Sequence, residues 1–301
     1  MDTLLASLLT DRRVRSFCLF DCVSAFLSLR NFQAILLILF NLIYICITGS
    51  GKTYTMLGEP GNEGIITRAV NKMFAAKREI EEISKGANKV EMSVELLEIY
   101  NEQVRDLLAT DSGPDGKEIP LKLTSQELVG NVVFPASCES EVMEVLSLAQ
   151  SRRCVKATQS NAESSRSHMV FTLHFECITK GGIKRVGKLN ICDLAGSERL
   201  GKSGANDVVG GDLMNETKNI NKSLSVLSNC IEKLQAGSNQ IPYRESKLTF
   251  LLKNSLGGNS KTLAIVCCNP HAAHFHESLC SIRFAERVNK VELKAIANFK
   301  C

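Results

Sequence analysis

The sequence predicts an α/β domain of three layers, in which a central layer, mostly β-sheet, is flanked by helices. Segments with the two-residue alternation of strands, such as 90–96 and 169–179, alternate with segments of helical periodicity, such as 215–235. Gly49-Ser50-Gly51-Lys52-Thr53 stands where an apolar segment leads into the next helix. Since ligands of α/β sheets lie where strands lead into helices, we expect this loop to bind phosphate.

The elements follow one another with short turns between them. The hairpin turn at Gly181-Gly182 connects two alternating segments, and clusters of turn residues occupy 59–64 and 111–116. Apolar residues at helical spacing predict helices, and alternating or wholly apolar segments predict strands. Helices are expected at 53–56, 66–83, 140–157, 215–235 and 277–289, and strands at 90–96, 169–179, 183–192 and 262–268.

Composition sets only broad limits on function. The 301 residues, of which 44% are hydrophobic, allow one large domain or two small ones with a buried core. A net charge of +4 gives no indication of a partner. The 12 cysteines include no Cys-x-x-Cys pair. They are scattered through apolar stretches, and Cys177, Cys192 and Cys267-Cys268 are examples. Buried free thiols in a reducing compartment are therefore favoured over a disulfide framework.

The first residues differ sharply from the rest of the chain. Residues 1–48 contain no Gly, Pro, Glu or Lys, and residues 32–47 are apolar except for Gln33 and Asn41. The apolar segment is shorter than the roughly 20 residues that a membrane-spanning helix needs, so a membrane partner is not expected. Three interpretations remain open for it: a marginal membrane segment, a core strand and helix of unusual sequence, or foreign sequence joined to the rest.

The phosphate loop gives specific expectations for nucleotide and metal binding. The backbone N–H groups of Gly49, Ser50 and Gly51 would surround the β-phosphate, since glycine permits the tight turn. Lys52 would reach the β- and γ-phosphates, and the Thr53 hydroxyl would bind Mg²⁺. The flanking residues expected at the same site are Thr48 and Tyr54.

One position departs from the full phosphate-loop pattern. The pattern begins with a glycine five residues before Gly51, where this chain has Cys46. If the backbone there needs a positive φ, the Cβ of Cys46 costs roughly 1–2 kcal/mol.

Two further strings follow the phosphate loop in order: Asn161-Ala162-Glu163-Ser164-Ser165-Arg166-Ser167-His168 and Asp193-Leu194-Ala195-Gly196-Ser197-Glu198. Each alone could be a helix cap or a strand-end turn. Together with the phosphate loop they resemble the kinesin motor domain, from about Thr48 to about Asn289. The resemblance implies a P-loop NTPase fold of the kinesin type, with ATP and Mg²⁺ as its cofactors and microtubule-stimulated hydrolysis as its reaction.

The resemblance implies that the first string contacts the reacting phosphate. Ser164 and Ser165 would contact the γ-phosphate, Mg²⁺ or the attacking water. Arg166 would pair with Glu198 when both loops converge on the γ-phosphate, so that the pair distinguishes ATP from ADP.

The second string would hold the metal and sense the phosphate. By the same resemblance, Asp193 would hold a water bound to Mg²⁺. The N–H of Gly196 would sense the γ-phosphate, because a residue without a side chain permits the peptide to flip.

Basic residues downstream predict the surface that binds the microtubule. The segments 213–234 and 241–249 resemble the kinesin helix and adjoining loop that lie on the track. Tubulin is acidic, so a basic face would steer binding; taken alone, such lysines more often cover a solvated helix face. The residues expected to contact the microtubule are Lys218, Lys222, Tyr243, Arg244, Lys247 and Lys253.

The resemblance also sets expectations for domain organisation. It implies an atypical segment at 1–47, a partial motor domain at 48–291 and the start of a neck or tail at 292–301, with the first strands missing or replaced. Foreign sequence is therefore the favoured interpretation of the first residues. Phe250 stands where many kinesins have Arg, which favours a kinesin-14-like class. The dimerisation region is expected outside the chain.

Three functions remain open on the sequence alone. The first is an ATP-dependent microtubule motor on the cytoplasmic cytoskeleton. The second is a remnant that binds microtubules without hydrolysis, and the third is an ordinary motor whose first residues here are foreign. Nucleic acid is not an expected partner. His271, His274 and His276 fit no standard zinc spacing and are expected in a surface turn.

Overall fold

The computed structural model describes residues 39–46, 50–59, 61–109, 121–124, 128–159, 166–196, 211–258, 260–269, 271–291 and 299–300. Its helices are α1 Lys52–Leu57, α2 Ile65–Ile83, α3 Glu139–Gln159, α4 Gly211–Gln235, α5 Lys247–Leu251, α6 Lys253–Gly257 and α7 Phe275–Asn289, with single 3₁₀ turns at Tyr243–Glu245 and Ala272–His274. Its strands are β1 Leu39–Cys46, β2 Gly58–Glu59, β3 Asn62–Glu63, β4 Lys89–Tyr100, β5 Gln103–Asp106, β6 Lys122–Leu123, β7 Leu128–Val129, β8 Phe134–Pro135, β9 His168–Ile178, β10 Lys184–Asp193, β11 Ser260–Cys267 and β12 Phe299–Lys300.

The expected helices and strands are all present, with ends shifted by a few residues. In β4 the apolar side chains of Val90, Met92 and Val94 are buried, while those of Lys89 and Glu91 are exposed. This alternation is the one that the sequence shows. The turn cluster at 59–64 differs from expectation in one respect, because its flanks pair as the short β2–β3 hairpin.

The main sheet has the order β11-β1-β10-β9-β4-β5, with β12 beside β10 and β8 beside β4. Strand β1 is parallel to both of its neighbours, β10 and β11. The β10–β9–β4–β5 part is antiparallel throughout. The continuous apolar sequence of β1 suits a parallel strand in the interior of a sheet, because parallel strands as a class are covered on both faces.

The position of β1 bears on the expected boundary at residue 48. Residues 39–46 lie upstream of that boundary, yet they form an inner strand of the sheet. For these eight residues the structure therefore matches the interpretation as a core strand of unusual sequence. The interpretations that concern residues 1–38 lie outside the described residues.

Strand β11 corrects one expectation. The sequence predicts a buried strand at 262–268, but only Ser260 and Ile265 of β11 are buried, and Lys261 is exposed. Among the described strands β11 has β1 as its only sheet neighbour. A strand at the end of a described sheet keeps more of its surface open than an inner one.

Two apolar clusters cover the two faces of the sheet. Residues of α1, α2 and α3 pack on one face, against side chains such as Phe171 and Phe175 of β9. Residues of α4 to α7 pack on the other face, against side chains such as Val170 and Cys192. Neighbouring residues of β9 thus enter opposite clusters, as the pleat requires, and the predicted three-layer arrangement is confirmed.

The cysteines follow expectation in part. The seven cysteines whose side chains the structure describes form no disulfide, and Cys177, Cys192 and Cys230 are buried. Cys267 and Cys268 are only half-buried, because they lie at the open end strand β11 and just beyond it. Burial raises the pKa of the Cys192 thiol to about 12, so this thiol is not a reactive nucleophile.

In the described part of the chain, no helix has the length and apolar character that crossing a bilayer demands.

Candidate functional site

The phosphate loop starts at the carboxyl end of β1. Cys46 is the last residue of that strand and is in register with Cys267 of β11. It therefore has the extended backbone of a strand, which any residue adopts, and the strain considered for its Cβ does not arise. Gly51 precedes α1 with φ of 92°, a left-handed conformation that favours glycine. Its carbonyl accepts the first helical hydrogen bond, from the N–H of Thr55 at 2.9 Å.

The start of α1 lies close to β10, the strand beside β1. Tyr44 of β1 is in register with Asp193, the last residue of β10. Lys52 is half-buried, and its positive charge acts on the pKa values of both Asp193 and His168. Lys52 is therefore near enough to Asp193 for its charge to act on that carboxylate, and the roles expected for both residues stay predictions. Thr48 and Gly49 lie outside the described residues.

The remaining loop residues lie at the surface. Thr53 is exposed, so its hydroxyl can reach a ligand from solvent. Tyr54 is 45% exposed, and its hydroxyl accepts a hydrogen bond from the Asn62 side chain of β3. Tyr54 therefore lies beside the β2–β3 hairpin, at the outer side of the loop. Ser50 is half-buried.

Asp193 is a buried carboxylate with one oxygen available. Its side chain is 7% exposed, and Oδ2 lies 3.7 Å from a guanidinium nitrogen of Arg153. Among the described residues, Oδ1 has no hydrogen-bond partner. Burial raises the pKa of Asp193, and the charges of Arg153 and Lys52 oppose that rise. A buried carboxylate oxygen without a partner fits the role of holding a water bound to Mg²⁺.

Arg153 of α3 joins three elements below the site. Its guanidinium donates to Ser167 Oγ at 3.0 and 3.1 Å and to the Ser167 carbonyl at 3.1 Å. It also lies 3.4 Å from Glu98 of β4, which in turn lies 3.9 Å from Arg105. Two buried carboxylates, Glu98 and Asp193, thus share the charges of two arginines.

Arg153 was not singled out from the sequence, although a signal exists. Val142, Leu146 and Ala149 form the buried stripe of α3, and Arg153 continues that stripe four residues later. A charged residue in an apolar stripe must have a partner inside the protein, because burying an isolated charge is costly.

His168 connects the second loop with α4. The backbone N–H of Ala195 donates to its Nδ1 at 2.9 Å, so the ring proton is on Nε2. Nε2 lies 2.8 Å from Ser223 Oγ, which donates to the Ile220 carbonyl at 2.7 Å. Burial and the nearby charges of Arg153 and Lys52 lower the pKa of His168 to about 3, so the ring is neutral. The sequence showed His168 only as the end of a motif.

The two motif loops are described in part. Arg166 is half-buried, and Gly196 is buried at the end of the segment that follows β10. Ser164, Ser165 and Glu198 lie outside the described residues, so their expected roles and the Arg166–Glu198 pair stay predictions. Within the ranges that the structure describes, no group of three or more His, Cys, Asp or Glu residues could hold a metal ion.

The histidines after β11 follow the expected surface turn in part, because His271 and His274 flank or end the 3₁₀ turn whereas His276 lies in α7. His271 is exposed, and its Nδ1 accepts from the Ala273 N–H at 3.2 Å. It thereby caps the 3₁₀ turn at Ala272–His274.

The basic residues lie on α4, the 3₁₀ turn, α5 and the start of α6, on the other side of the sheet from α2. Lys218, Lys222, Arg244 and Lys247 are exposed, whereas Lys253 is half-buried. Tyr243 differs from them, because burial, together with Cys230, raises the pKa of its phenol to about 12. It packs against the apolar cluster that includes Leu227 and Ile231 of α4.

The hairpin between β4 and β5 holds these elements in place. Asn101 and Glu102 have φ of 51° and 58°, an uncommon conformation for residues other than glycine. The two carboxylate oxygens of Glu102 accept from Ser246 Oγ at 2.8 Å and from the Lys247 N–H at 2.9 Å. Asn101 accepts a hydrogen bond from the Asn219 side chain of α4. The strained turn therefore anchors both helices of the basic face.

Comparison with known proteins supports the same assignment. The family model for the kinesin motor domain matches residues 42–291. The Kinesin-like protein KIN-14N of Oryza sativa subsp. japonica is 44% identical over 257 residues, which cover 82% of this chain and 33% of that protein. The chain thus spans about a third of the length of this relative.

Solved structures show the same fold. A fast kinesin, described with its ATPase mechanism and its interactions with microtubules, has a TM-score of 0.77 at 35% identity, over 91% of this chain and 77% of that one. A KIF14 dimer in complex with a microtubule and AMP-PNP has a TM-score of 0.80 at 30% identity, over 93% and 78%. The chain therefore belongs to the kinesin motor domain family, in which it is kinesin-14-like.

Proposed function

We propose that this chain is an ATP-driven microtubule motor domain, in which hydrolysis is coupled to binding of the track. The observation that carries the proposal is Asp193, a buried carboxylate on which the charge of Lys52 acts and whose Oδ1 has no partner among the described residues. These groups lie at the carboxyl ends of two parallel strands, where α/β sheets bind ligands.

Nucleotide binding rests on the phosphate loop. The N–H groups of 49–51 surround the β-phosphate, and Lys52 neutralises charge on the β- and γ-phosphates. Thr53 and Ser165 would hold Mg²⁺, and Asp193 would hold a water bound to it. When bound, Mg²⁺ neutralises the charge that develops on the transferred phosphoryl group. The guanidinium of Arg153 lies 3.7 Å from Asp193 Oδ2, where its charge opposes the rise in the pKa of Asp193 that burial causes.

Hydrolysis needs the two motif loops to close. Ser164 and Ser165 position the attacking water and the γ-phosphate, and Arg166 pairs with Glu198 across the site. Gly196 donates its N–H to the γ-phosphate only while that phosphate is present. Catalysis of this kind is almost entirely positioning and electrostatic stabilisation, so the loops that assemble around ATP also report its cleavage.

Track binding uses the basic face described above. Lys218, Lys222, Arg244 and Lys247 are exposed cations on elements held by the Asn101–Glu102 turn. A basic face attracts an acidic filament over a distance set by salt, roughly 10 Å at 0.1 M. We place the protein on the microtubule cytoskeleton of the cytoplasm, with Tyr243 and Lys253 supporting the same face.

The test is steady-state ATP turnover by the purified chain, with and without microtubules. Turnover that rises with microtubule concentration is the expected result. Lys52→Ala removes the cation at the phosphates and should lower turnover by about 10²-fold or more. Lys89→Ala is the matched control. Lys89 is an exposed lysine that pairs with Glu91 at the start of β4, whereas the other end of β4 lies beside His168.

The same assay separates the motor from the non-hydrolysing remnant. A remnant would sediment with microtubules but show no turnover above background. The structure favours the motor, because β1 presents the phosphate loop from an inner position of the sheet.

A further inference from the structure

A continuous set of buried hydrogen bonds runs from the second motif loop to the helix of the basic face. The Ala195 N–H donates to His168 Nδ1, the His168 Nε2–H donates to Ser223 Oγ, and the Ser223 hydroxyl donates to the Ile220 carbonyl. Its first donor is adjacent to Gly196, and its last two groups belong to α4. We refer to Ala195, His168 and Ser223 as the histidine bridge.

Because the histidine bridge is buried, breaking either of its hydrogen bonds is costly. Ala195, His168 and Ser223 are 2%, 2% and 1% exposed, so water cannot replace a broken bond. A buried donor or acceptor that loses its partner is costly. The neutral ring has one donor and one acceptor, and each is used. Movement of the loop at Ala195 independently of α4 would therefore break a buried bond at one end of the ring.

The histidine bridge also lies between the two proposed activities. Gly196, next to Ala195, is the residue proposed to sense the γ-phosphate. Lys222, next to Ser223, is an exposed cation of the basic face. The imidazole thus spans the space between the nucleotide loop and the track helix with one polar contact on each side.

We propose that His168 and Ser223 are positioning residues that couple nucleotide state to microtubule affinity, by making the second motif loop and α4 move together. The inference rests on the proposed function and adds the residues that transmit its signal. It requires that the two bonds act as one unit, because a bridge broken at either end transmits nothing.

A double-mutant cycle tests the bridge in the full chain. His168→Asn keeps an acceptor near the position of Nδ1 for the Ala195 N–H but is too short to reach Ser223. Ser223→Ala removes the other partner. Microtubule co-sedimentation gives the ratio of dissociation constants with Mg-ADP and with a non-hydrolysable ATP analogue. Each variant should lower this ratio at least about fivefold toward one, the lower end of typical allosteric coupling.

The double variant should lose no more of the ratio than either single variant, since the two residues act through one connection. Ser281→Ala is the matched control. Ser281 is also a buried helical serine, 3% exposed, which donates to the Glu277 carbonyl of its own helix at 3.2 Å. It should lose thermal stability without changing the ratio.

Unchanged ratios in Ser223→Ala and His168→Asn, with only a lower melting temperature, would show a purely structural role and overturn the inference. Additive losses would also overturn it. If His168→Asn does not fold, Ser223→Ala alone decides between the two results. A wild-type ratio of one would instead overturn the proposed function, and the bridge with it.

Discussion

Arg153 and Asp193 form a buried ion pair beneath the nucleotide loop, with 3.7 Å between a guanidinium nitrogen and Oδ2. The same guanidinium lies 3.4 Å from Glu98 and donates to Ser167. One arginine of α3 thus neutralises carboxylates from two strands and holds the residue that follows Arg166. The arrangement leaves Asp193 Oδ1 available for the metal-bound water that we propose.

Replacing Arg153 should destabilise the fold strongly. Arg153→Met leaves two buried carboxylates with less positive charge, so the free energy of unfolding should fall by about 3–5 kcal/mol. Urea denaturation measures this change. Arg78→Met is the control, because Arg78 pairs with Glu139 at the surface with 60% of its side chain exposed; exposed pairs contribute little.

A second substitution checks the cause. Adding Glu98→Gln to Arg153→Met removes one of the two buried carboxylate charges and should restore part of the lost stability. If the double variant is as unstable as the sum of the two single variants, charge pairing is not the reason for the loss.

Stability should fall as the pH drops below about 6.5, in part because of His168. Burial and the nearby charges of Arg153 and Lys52 lower the pKa of this histidine from 6.5 to about 3. Between these values the unfolded chain binds a proton that the folded chain does not, so folding loses up to about 1.4 kcal/mol per pH unit. His168→Asn has no such group at this position.

The comparison is made by urea denaturation at about pH 7 and about pH 5.5. The wild type should lose about 1 kcal/mol more than His168→Asn over this interval. Equal losses in the two proteins would show that His168 takes up its proton over the same pH range in the folded and the unfolded chain, which contradicts the lowered pKa.

Glu102 should support the basic face without contacting the microtubule. Glu102→Ala removes both acceptors of Ser246 and Lys247 and leaves the buried Ser246 hydroxyl without this partner. The free energy of unfolding should fall by about 1–3 kcal/mol, and microtubule affinity should fall with it. Glu91→Ala, which removes an exposed carboxylate paired with Lys89, should change neither. If the Glu102→Ala variant is destabilised but keeps its affinity for microtubules, the turn does not support microtubule binding.

Charge reversal should locate the track face. Changing Lys218, Arg244 and Lys247 together to Glu should weaken co-sedimentation and flatten its dependence on salt, because exposed charges act through screened long-range attraction. The control reverses Lys89, Lys180 and Lys290, which alters the net charge equally at other exposed positions. Equal effects of the two sets would mean that only net charge matters.

The sequence predicted the fold well because its signals are local. Alternation defined β4, and helical spacing defined α2 and α4. The order of the motif loops identified Lys52 and Asp193 as candidate site residues, and the roles expected for them stay predictions. Strand β1 was harder to predict, since a wholly apolar segment fits a strand, a buried helix segment or a marginal membrane segment equally well.

The buried polar contacts could not be obtained from the sequence. Arg153, Glu98 and His168 come from three elements that are far apart in the chain, and their distances depend on how the sheet and α3 pack. The Asn101–Glu102 turn likewise has its hydrogen-bond partners on α4 and α5, which follow more than 100 residues later in the chain.

The most direct test of the account is the rate of microtubule-stimulated ATP turnover in Glu198→Ala. The account predicts that ATP still binds, while turnover falls by about 10²-fold or more, because the pair with Arg166 cannot close around the γ-phosphate. Glu63→Ala, an exposed glutamate of β3, is the control and should keep the wild-type rate. Undiminished turnover in Glu198→Ala would contradict the account, since hydrolysis would then proceed without closure of the two loops.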